Sequence, residues 1–347
     1  GGSGGHVVPG TIFYEHLKNE FDLFMTSDSR GIRFLDKKKY NIRVLNISKI
    51  PKNIFLLPFQ MLSIFFSVLE SLFFLKKNKI EILISTGGYM SVPLCVASKI
   101  LNIKLFLFEP NMLLGRSNKF FINHCEKIFC YSDKIKNYPS KLRNKISIIP
   151  MLLRKEFYNI AVNDNIDQNI NLLIIGGSQG AKLFDTIIKN SIINLSKKYN
   201  LNVYQQTNHK NFNNLQNFYK ENKINCELFD FDQKISSFMN KSNICLTRAG
   251  ASTLAELVFL NIPHLVIPLP TAKDNHQFEN AVFYNQQRCN WILNQNEIND
   301  DNLMIKLINI IDNKQEYLDK KKNMKNFSYQ NTWNNINLKI ISTINEN

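Results

Sequence analysis

Four stretches of this chain carry residue types and spacings suited to chemistry on a phosphorylated ligand. Gly1-Gly2-Ser3-Gly4-Gly5-His6 and Ile174-Ile175-Gly176-Gly177-Ser178-Gln179-Gly180 are glycine-rich turns, each leading into a predicted helix. Such a turn lets main-chain N–H groups approach an anion at the positive end of the helix dipole. One in each half of the chain predicts two similar α/β domains facing a shared ligand, an arrangement that suits a nucleotide-sugar enzyme. Thr86-Gly87-Gly88-Tyr89 supplies a further anion-capable turn in the first half. Thr247-Arg248-Ala249-Gly250-Ala251-Ser252-Thr253-Leu254-Ala255-Glu256 is the fourth. There Gly250 breaks a strand, Ser252 or Thr253 caps the next helix, and the helix N–H groups point at a diphosphate. Glu256, about one turn on, can accept two hydroxyl hydrogen bonds of the kind a ribose diol offers; a glutamate that only complements the helix dipole is the alternative.

His6 closes the first turn, with Pro9 near the helix start. An imidazole at the C-terminal edge of a sheet is placed for general-base work. A structural, helix-capping histidine is the alternative, and the surrounding glycines favour the base. Glu109-Pro110-Asn111 adds a third strand end to the same edge. In the second half Pro268-Leu269-Pro270 leads to Asp274–Ala281, a loop dense in donors and acceptors suited to sugar hydroxyls. The opening turn is neither a dinucleotide fingerprint, which would need glycine at Val7, nor a Walker A loop, since no Lys-Ser/Thr follows. No DxD-type carboxylate pair is present, so the expectation is no cofactor and no obligatory metal.

These residues need strands to present them. Ile42–Leu45, Ile82–Ile84, Leu105–Leu107, Ile128–Tyr131 and Ile146–Ile149 are short apolar runs that read as buried parallel strands, with helices such as Val92–Leu101 between them. After the polar stretch Asn159–Asn171 the pattern restarts with Leu172–Ile175, a helix over Ala181–Tyr199, and strands at Val203-Tyr204, Cys226–Phe229, Ile244–Leu246 and Leu265–Ile267. Leu303–Ile344 reads as largely helical. Alternating β and α predicts doubly wound parallel sheets. The domains expected are 1–155 and 156–330, with a C-terminal helix of about 330–347 packing back on the first. A Rossmann-like domain opens on a strand that runs into the glycine turn, so a first strand ahead of Gly1 is also expected.

The 347 residues carry a formal net charge of +15, which suits anionic partners, although abundant Lys, Asn, Ile and Phe also point to compositional drift. No clustered basic–aromatic motif supports nucleic-acid binding. Six cysteines without CxxC spacing read as reduced core thiols of a cytosolic protein. Ile54–Leu75 is the most apolar segment and is long enough to span a bilayer. Pro58, Gln60, three serines and Glu70 argue against spanning. The preferred reading is a helix with one face on the sheet and the rest at a membrane interface, flanked by Lys52, Lys76, Lys77 and Lys79; a plain core helix is the alternative.

Taken together these motifs resemble the MurG family, the lipid I N-acetylglucosaminyltransferases of peptidoglycan synthesis. Gly1–Gly10 resembles the family's GGTGGHxxPG, Gly87–Tyr89 its GGY loop, and Glu109–Lys119 its HEQN…G…NK stretch. Gly176–Ala181 matches GGSQGA, Arg248–Glu256 resembles RSGAxTxxE, and Asp274–Ala281 resembles DxxQxxNA. The six occur in order over nearly the whole chain.

The resemblance implies a GT-B fold and inverting transfer of N-acetylglucosamine from UDP-N-acetylglucosamine to the C4 hydroxyl of the muramyl sugar of lipid I, giving lipid II. It implies a peripheral protein on the cytoplasmic face of the inner membrane. It implies a donor site of Ser3, Gly4, Gly5, Asn111, Arg154, Ser178, Asp232, Ala251, Ser252, Thr253, Leu254, Ala255, Glu256 and Gln277. Gly87, Gly88 and Tyr89 would face the acceptor diphosphate, and His6 would be the base. Phe108 and Pro110 stand where the family has His and Gln, Ala249 where it has Ser, and Asp232 where it has an apolar residue. The GNPVR segment appears as Ile149–Arg154, longer by one residue. A same-fold transferase acting on another lipid acceptor and a non-catalytic membrane-docked partner are the rival functions.

Overall fold

The computed structural model describes residues 4–45, 57–160, 169–176, 183–230 and 235–346. The chain forms two compact units, one of residues 1–154 with 333–347 and one of residues 155–332.

In the first unit, helix α1 (Gly4–Leu17) precedes a two-stranded parallel sheet, β1 (Met25–Ser27) and β2 (Ile42–Val44). Helix α2 (Leu57–Lys77) follows. A four-stranded parallel sheet is then built in simple order from β3 (Ile82–Ser85), β4 (Lys104–Glu109), β5 (Lys127–Cys130) and β6 (Ile146–Ile148), with α3 (Val92–Ile100) and α4 (Arg116–Phe121) between strands. The apolar run of β4 is buried from Leu105 to Phe108, as a strand covered on both faces must be. α1 lays Val7, Ile12, Phe13 and Leu17 inward, with the Phe13 ring edge-on to Phe108 at 5.3 Å. A cavity of about 550 Å³ lies between β1 and β3, lined by Met25–Ser27 and Ile82–Ser85. The strand expected ahead of Gly1 lies outside the described residues.

The second unit is one six-stranded parallel sheet of β7 (Asn169–Ile175), β8 (Asn200–Gln206), β9 (Asn225–Phe229), β10 (Ile244–Thr247), β11 (His264–Val266) and β12 (Asn290–Ile292). Its spatial order is β12-β11-β10-β7-β8-β9. Numbered within the unit this is 3-2-1-4-5-6, the doubly wound order whose direction reverses between β7 and β10. Helices α5 (Lys189–Lys198), α6 (Phe212–Glu221), α7 (Ile235–Lys241), α8 (Ala251–Phe259), α9 (His276–Gln286), α10 (Asp300–Asp312) and α11 (Lys314–Ser328) flank it. Helix α12 (Trp333–Asn345) belongs to the first unit, where Trp333 stacks on His16 of α1 at 3.7 Å and Thr343 shares a hydrogen bond with Ser147 at 2.9 Å.

The continuous helix expected over Ala181–Tyr199 is not formed. Residues 185–188 are a turn and the helix begins at Lys189. The buried Asp185 carboxylate accepts from Gln205 Nε2 (3.0 Å), Thr207 Oγ1 (2.8 Å) and Asn211 Nδ2 (2.6 Å), long-range bonds that favour the turn over another helical turn.

His264, fully buried at the start of β11, donates Nδ1–H to Ile262 O at 2.8 Å, while its Nε2 has no partner among the described residues. Burial, helped by Lys320, pushes its pKa from 6.5 down to about 4. Below pH 6.5 the unfolded chain takes up a proton that the native chain refuses until about pH 4, so stability falls as pH drops through that window. The total loss is on the order of 3 kcal/mol. Urea midpoints measured across this range should fall less steeply in His264→Gln than in the wild type.

Candidate active site

In the second unit the reversal of strand order sets two candidate motifs side by side. β7 and β10 pair in register, Ile175 against Thr247, and Arg248 N–H donates to Ile175 O at 3.2 Å. β7 therefore ends, with Gly176 just beyond it, beside the start of the Arg248–Glu256 motif. Gly176 is the last described residue of the Gly176–Ala181 motif; Ser178 lies outside the described residues, as do Asp232 and, in the first unit, Ser3.

Ser252 and Thr253 do not cap α8. The N-cap is Gly250, extended at φ −67° and ψ 131°, with no side-chain cap bond, and both hydroxyl residues lie inside the first helical turn. Among the described residues, the opening N–H groups of α8 thus carry no side-chain cap at the sheet's switch point, the position at which α/β folds bind phosphate. Ala251–Glu256 form the first six residues of this helix, and Leu254, Ala255 and Glu256 are buried.

Two side chains hold this edge in shape. Arg248, 4 % exposed, donates from Nη1 to Ile267 O (3.0 Å) and Pro268 O (3.3 Å), and from Nη2 to Gln295 Oε1 (2.8 Å). Burial lowers its pKa to about 10. Gln277, near the start of α9, accepts from Ala249 N–H (3.2 Å) and Leu269 N–H (3.0 Å), tying the β10–α8 and β11–α9 loops together. Its oxygen therefore serves the protein's own backbone, and only its amide Nε2 remains to serve a ligand.

In the first unit the helix starts earlier than the glycine pattern implies. Gly4 and Gly5 are already helical, so His6 stands in the first turn of α1 and Pro9 lies inside the helix. His6 Nδ1 is 2.7 Å from Thr86 O, and Thr86 Oγ1 donates back to His6 O at 2.8 Å. A carbonyl oxygen only accepts, so Nδ1 carries the proton and the basic lone pair sits on Nε2. The ring rests on the β3–α3 loop. A Cβ on Gly88 would lie 3.0 Å from His6 Cδ2 and 3.1 Å from Nε2, and one on Gly87 would lie 3.6 Å from His6 Cε1. Both glycines have φ +81°. The fold thus brings His6, Gly87, Gly88 and Tyr89 together.

Behind this loop sits Glu109 at the end of β4. Its carboxylate accepts from Gly115 N–H (2.8 Å), Asn111 Nδ2 (2.9 Å), Asn118 Nδ2 (2.9 Å) and Asn111 N–H (3.2 Å). Burial raises its pKa, opposed by these four donors. Gly115 is required, because a Cβ there would meet Glu109 Oε2 at 2.9 Å. Asn111 is placed by this clamp. Arg154, half-buried, closes the amino-terminal stretch of the first unit. Sequence reading missed Glu109, Asn118 and Arg248 as positioning residues; a Glu two residues before Asn111 was the one available signal.

Among the described residues no group of three His, Cys, Asp or Glu side chains is placed to hold a metal ion, and no helix is long and apolar enough to cross a membrane.

Residues 1–130 match the glycosyltransferase family 28 N-terminal domain and residues 171–334 its C-terminal domain. Over 347 residues the chain is 60 % identical to the UDP-N-acetylglucosamine--N-acetylmuramyl-(pentapeptide) pyrophosphoryl-undecaprenol N-acetylglucosamine transferase of Pelagibacter ubique (strain HTCC1062), covering 100 % of this chain and 98 % of that protein. It is 32 % identical over 325 residues to the Rickettsia bellii (strain RML369-C) protein of the same name, covering 90 % and 89 %. Its fold matches the crystal structure of Acinetobacter baumannii MurG with a TM-score of 0.78 at 20 % identity, covering 100 % and 97 % of the two chains. A plant UGT2 from Phytolacca americana, complexed with UDP-2-fluoroglucose, shares the fold at TM-score 0.68 and 12 % identity, covering 99 % and 97 %. The α/β GT-B fold of two parallel-sheet, Rossmann-like units expected from the sequence is therefore present, and the chain belongs to the MurG family of UDP-N-acetylglucosamine--N-acetylmuramyl-(pentapeptide) pyrophosphoryl-undecaprenol N-acetylglucosamine transferases.

Proposed function

We infer that this chain transfers N-acetylglucosamine from UDP-N-acetylglucosamine to the C4 hydroxyl of the muramyl sugar of lipid I, giving lipid II and UDP. Beyond family membership, the observation that carries this reading is the uncapped N-terminus of α8 at the β7/β10 switch point. Those N–H groups, with Ser178, bind the donor diphosphate and stabilise the charge that develops on it as it leaves. Glu256 receives the ribose diol, and Asp232 meets the uracil through its backbone. Ser3, Gly4, Gly5, Asn111, Arg154 and Gln277 complete the donor set. Gly87, Gly88 and Tyr89 face the acceptor diphosphate.

In the reaction the acceptor oxygen attacks the anomeric carbon as the bond from that carbon to the diphosphate oxygen breaks. The hydroxyl proton passes to His6 Nε2. Nδ1–H, held by Thr86 O, fixes the tautomer that makes Nε2 the acceptor. Purified chain incubated with UDP-N-acetylglucosamine and a lipid I analogue should release UDP and yield a product heavier by one N-acetylhexosamine. No mass change with active donor and acceptor would refute the reading.

The lipid tail of the acceptor calls for a membrane-facing surface, and α2 supports one. Its polar residues Gln60, Ser67 and Ser71 are buried, whereas Met61 (71 % exposed), Phe65 (55 %), Phe66 (59 %) and Phe73 (68 %) face outward. Ser67 and Ser71 bond back to Ser63 O (2.9 Å) and Ser67 O (2.7 Å), and Glu70 pairs with Arg43 at 3.1 Å. Ser67, Ser71 and Glu70 thus find partners within the protein, whereas the buried Gln60 amide has none among the described residues. We propose that this face, with Lys76, Lys77 and Lys79, docks peripherally on the anionic cytoplasmic face of the inner membrane. Burial of a Phe side chain is worth roughly 1.5–3 kcal/mol. Replacing both Phe65 and Phe66 by Ser should therefore weaken binding to anionic liposomes by more than about tenfold. Turnover of a soluble acceptor analogue should persist. Equal co-sedimentation of both proteins with liposomes would exclude this surface.

A further inference from the structure

Arg30 lies just beyond the C-terminal end of β1, and nothing in the motifs above gives it a role. Asp28 fixes it. The Asp28 carboxylate is 1 % exposed; its Oδ1 accepts from the main-chain N–H groups of Arg30 (3.1 Å) and Gly31 (2.9 Å). Its Oδ2 accepts from Arg30 Nε (2.8 Å) and Nη2. The guanidinium carbon sits 4.8 Å from the centre of the Tyr89 ring, in the loop that carries Gly87 and Gly88. The β1 and β3 strand ends, 58 residues apart in sequence (Ser27 and Ser85), thus meet through this contact. The Arg30 side chain is 31 % exposed, and its Nη1 has no partner among the described residues. The Tyr89 hydroxyl is buried and likewise unpartnered.

A purely structural purpose accounts for little of this arrangement. Asp28 already closes its turn with two main-chain N–H bonds, and a part-exposed ion pair adds little stability. What the pair does supply is orientation. A planar guanidinium locked on one edge by a carboxylate, and stacked on an aromatic ring, presents its remaining N–H groups in a fixed direction. It does so at the ligand-binding edge of a parallel sheet.

We propose that Arg30 binds the diphosphate of the polyprenyl-diphosphate acceptor, donating hydrogen bonds from its Nη1 edge, with Asp28 and Tyr89 as its positioning residues. This rests on the reading that Gly87–Tyr89 face the acceptor. Asp28 neutralises much of the long-range field of the guanidinium, so the gain lies in directed hydrogen bonds, which a lysine would not reproduce.

The test compares wild type, Arg30→Lys, Arg30→Gln and the double variant Asp28→Asn/Arg30→Gln, which removes the pair without stranding a buried carboxylate. Arg30→Gln and the double variant should both raise the KM for a diphosphate-linked lipid I analogue by about 10–100-fold. The KM for UDP-N-acetylglucosamine should not move, and Arg30→Lys should recover only part of the loss. The ratio of kcat/KM between diphosphate- and monophosphate-linked acceptors should collapse in Arg30→Gln, which a merely structural role would not cause. An unchanged acceptor ratio, or an effect confined to the donor KM, would overturn the assignment. Calorimetric binding of farnesyl diphosphate, weaker in Arg30→Gln than in wild type, tests Arg30 independently of turnover. Absence of wild-type transfer to any lipid I analogue would count against the transferase reading beneath it.

Discussion

Replacing His6 by Ala should lower kcat with a lipid I analogue by about 10²–10⁴-fold, the range a positioned general base contributes. Binding of UDP should be spared, because the donor diphosphate is assigned to main-chain groups of the other unit. kcat and kcat/KM should fall together, the pattern expected when an interaction made only in the transition state is removed. His6→Asn is the sharper variant. Its side-chain amide can still donate to Thr86 O, so the first turn of α1 keeps its tether to the β3–α3 loop while the base is gone. Single-turnover measurements should show Asn as defective as Ala. Wild-type turnover in His6→Asn would remove His6 as the base and leave it a tether.

Gly88→Ala should be nearly as damaging through a different route. Gly88 has φ +81° and ψ 161°, a region occupied almost only by glycine, at a cost to other residues on the order of 1–3 kcal/mol. The new methyl would also press on His6 at 3.0–3.1 Å. The imidazole must swing away, lengthening its bond to Thr86 O. The expected result is a lower melting temperature together with a loss of kcat of about 10²-fold, since small misplacement of a reacting group costs that much. Gly87→Ala is the control. It shares the positive φ, but its Cβ would lie 3.6 Å from both His6 and Asn118, an ordinary contact. It should lose stability comparably and activity less. Equal activity losses in the two variants would mean that backbone strain, not the displaced ring, limits catalysis.

Much of the fold is legible along the sequence because buried parallel strands are apolar runs. β4, β5, β7 and β10 stand within a few residues of where Leu105–Leu107, Ile128–Tyr131, Leu172–Ile175 and Ile244–Leu246 place them. β1 and β12 are not legible. Met25-Thr26-Ser27 and Asn290-Trp291-Ile292 are three residues each and carry no run to detect. The break at 185–188 is invisible for another reason: the groups that hold Asp185 lie at 205, 207 and 211 and belong to a different βα segment.

The same division holds at the site. Gly87, Gly88 and His6 can be singled out because glycine clusters mark backbone that other residues cannot adopt. The Arg248 brace and the Arg30–Tyr89 contact depend on which strand ends become neighbours, which no local pattern encodes. The Glu109 clamp and the Asp28–Arg30 pair close locally, but through backbone N–H groups that residue types alone do not single out. The polar residues of α2 argue correctly against a span, but composition does not reveal that Gln60, Ser67 and Ser71 turn toward the protein.

The return of α12 to the first unit bears on how the molecule is made. Trp333 and Thr343 complete contacts with His16 and Ser147, so the first unit lacks a packing partner until the Trp333–Asn345 helix has left the ribosome. Domains usually mature in the order of synthesis. Here the inserted unit, residues 155–332, is complete first, and the nascent first unit must stay unfinished, with part of its α1 surface uncovered, until α12 emerges.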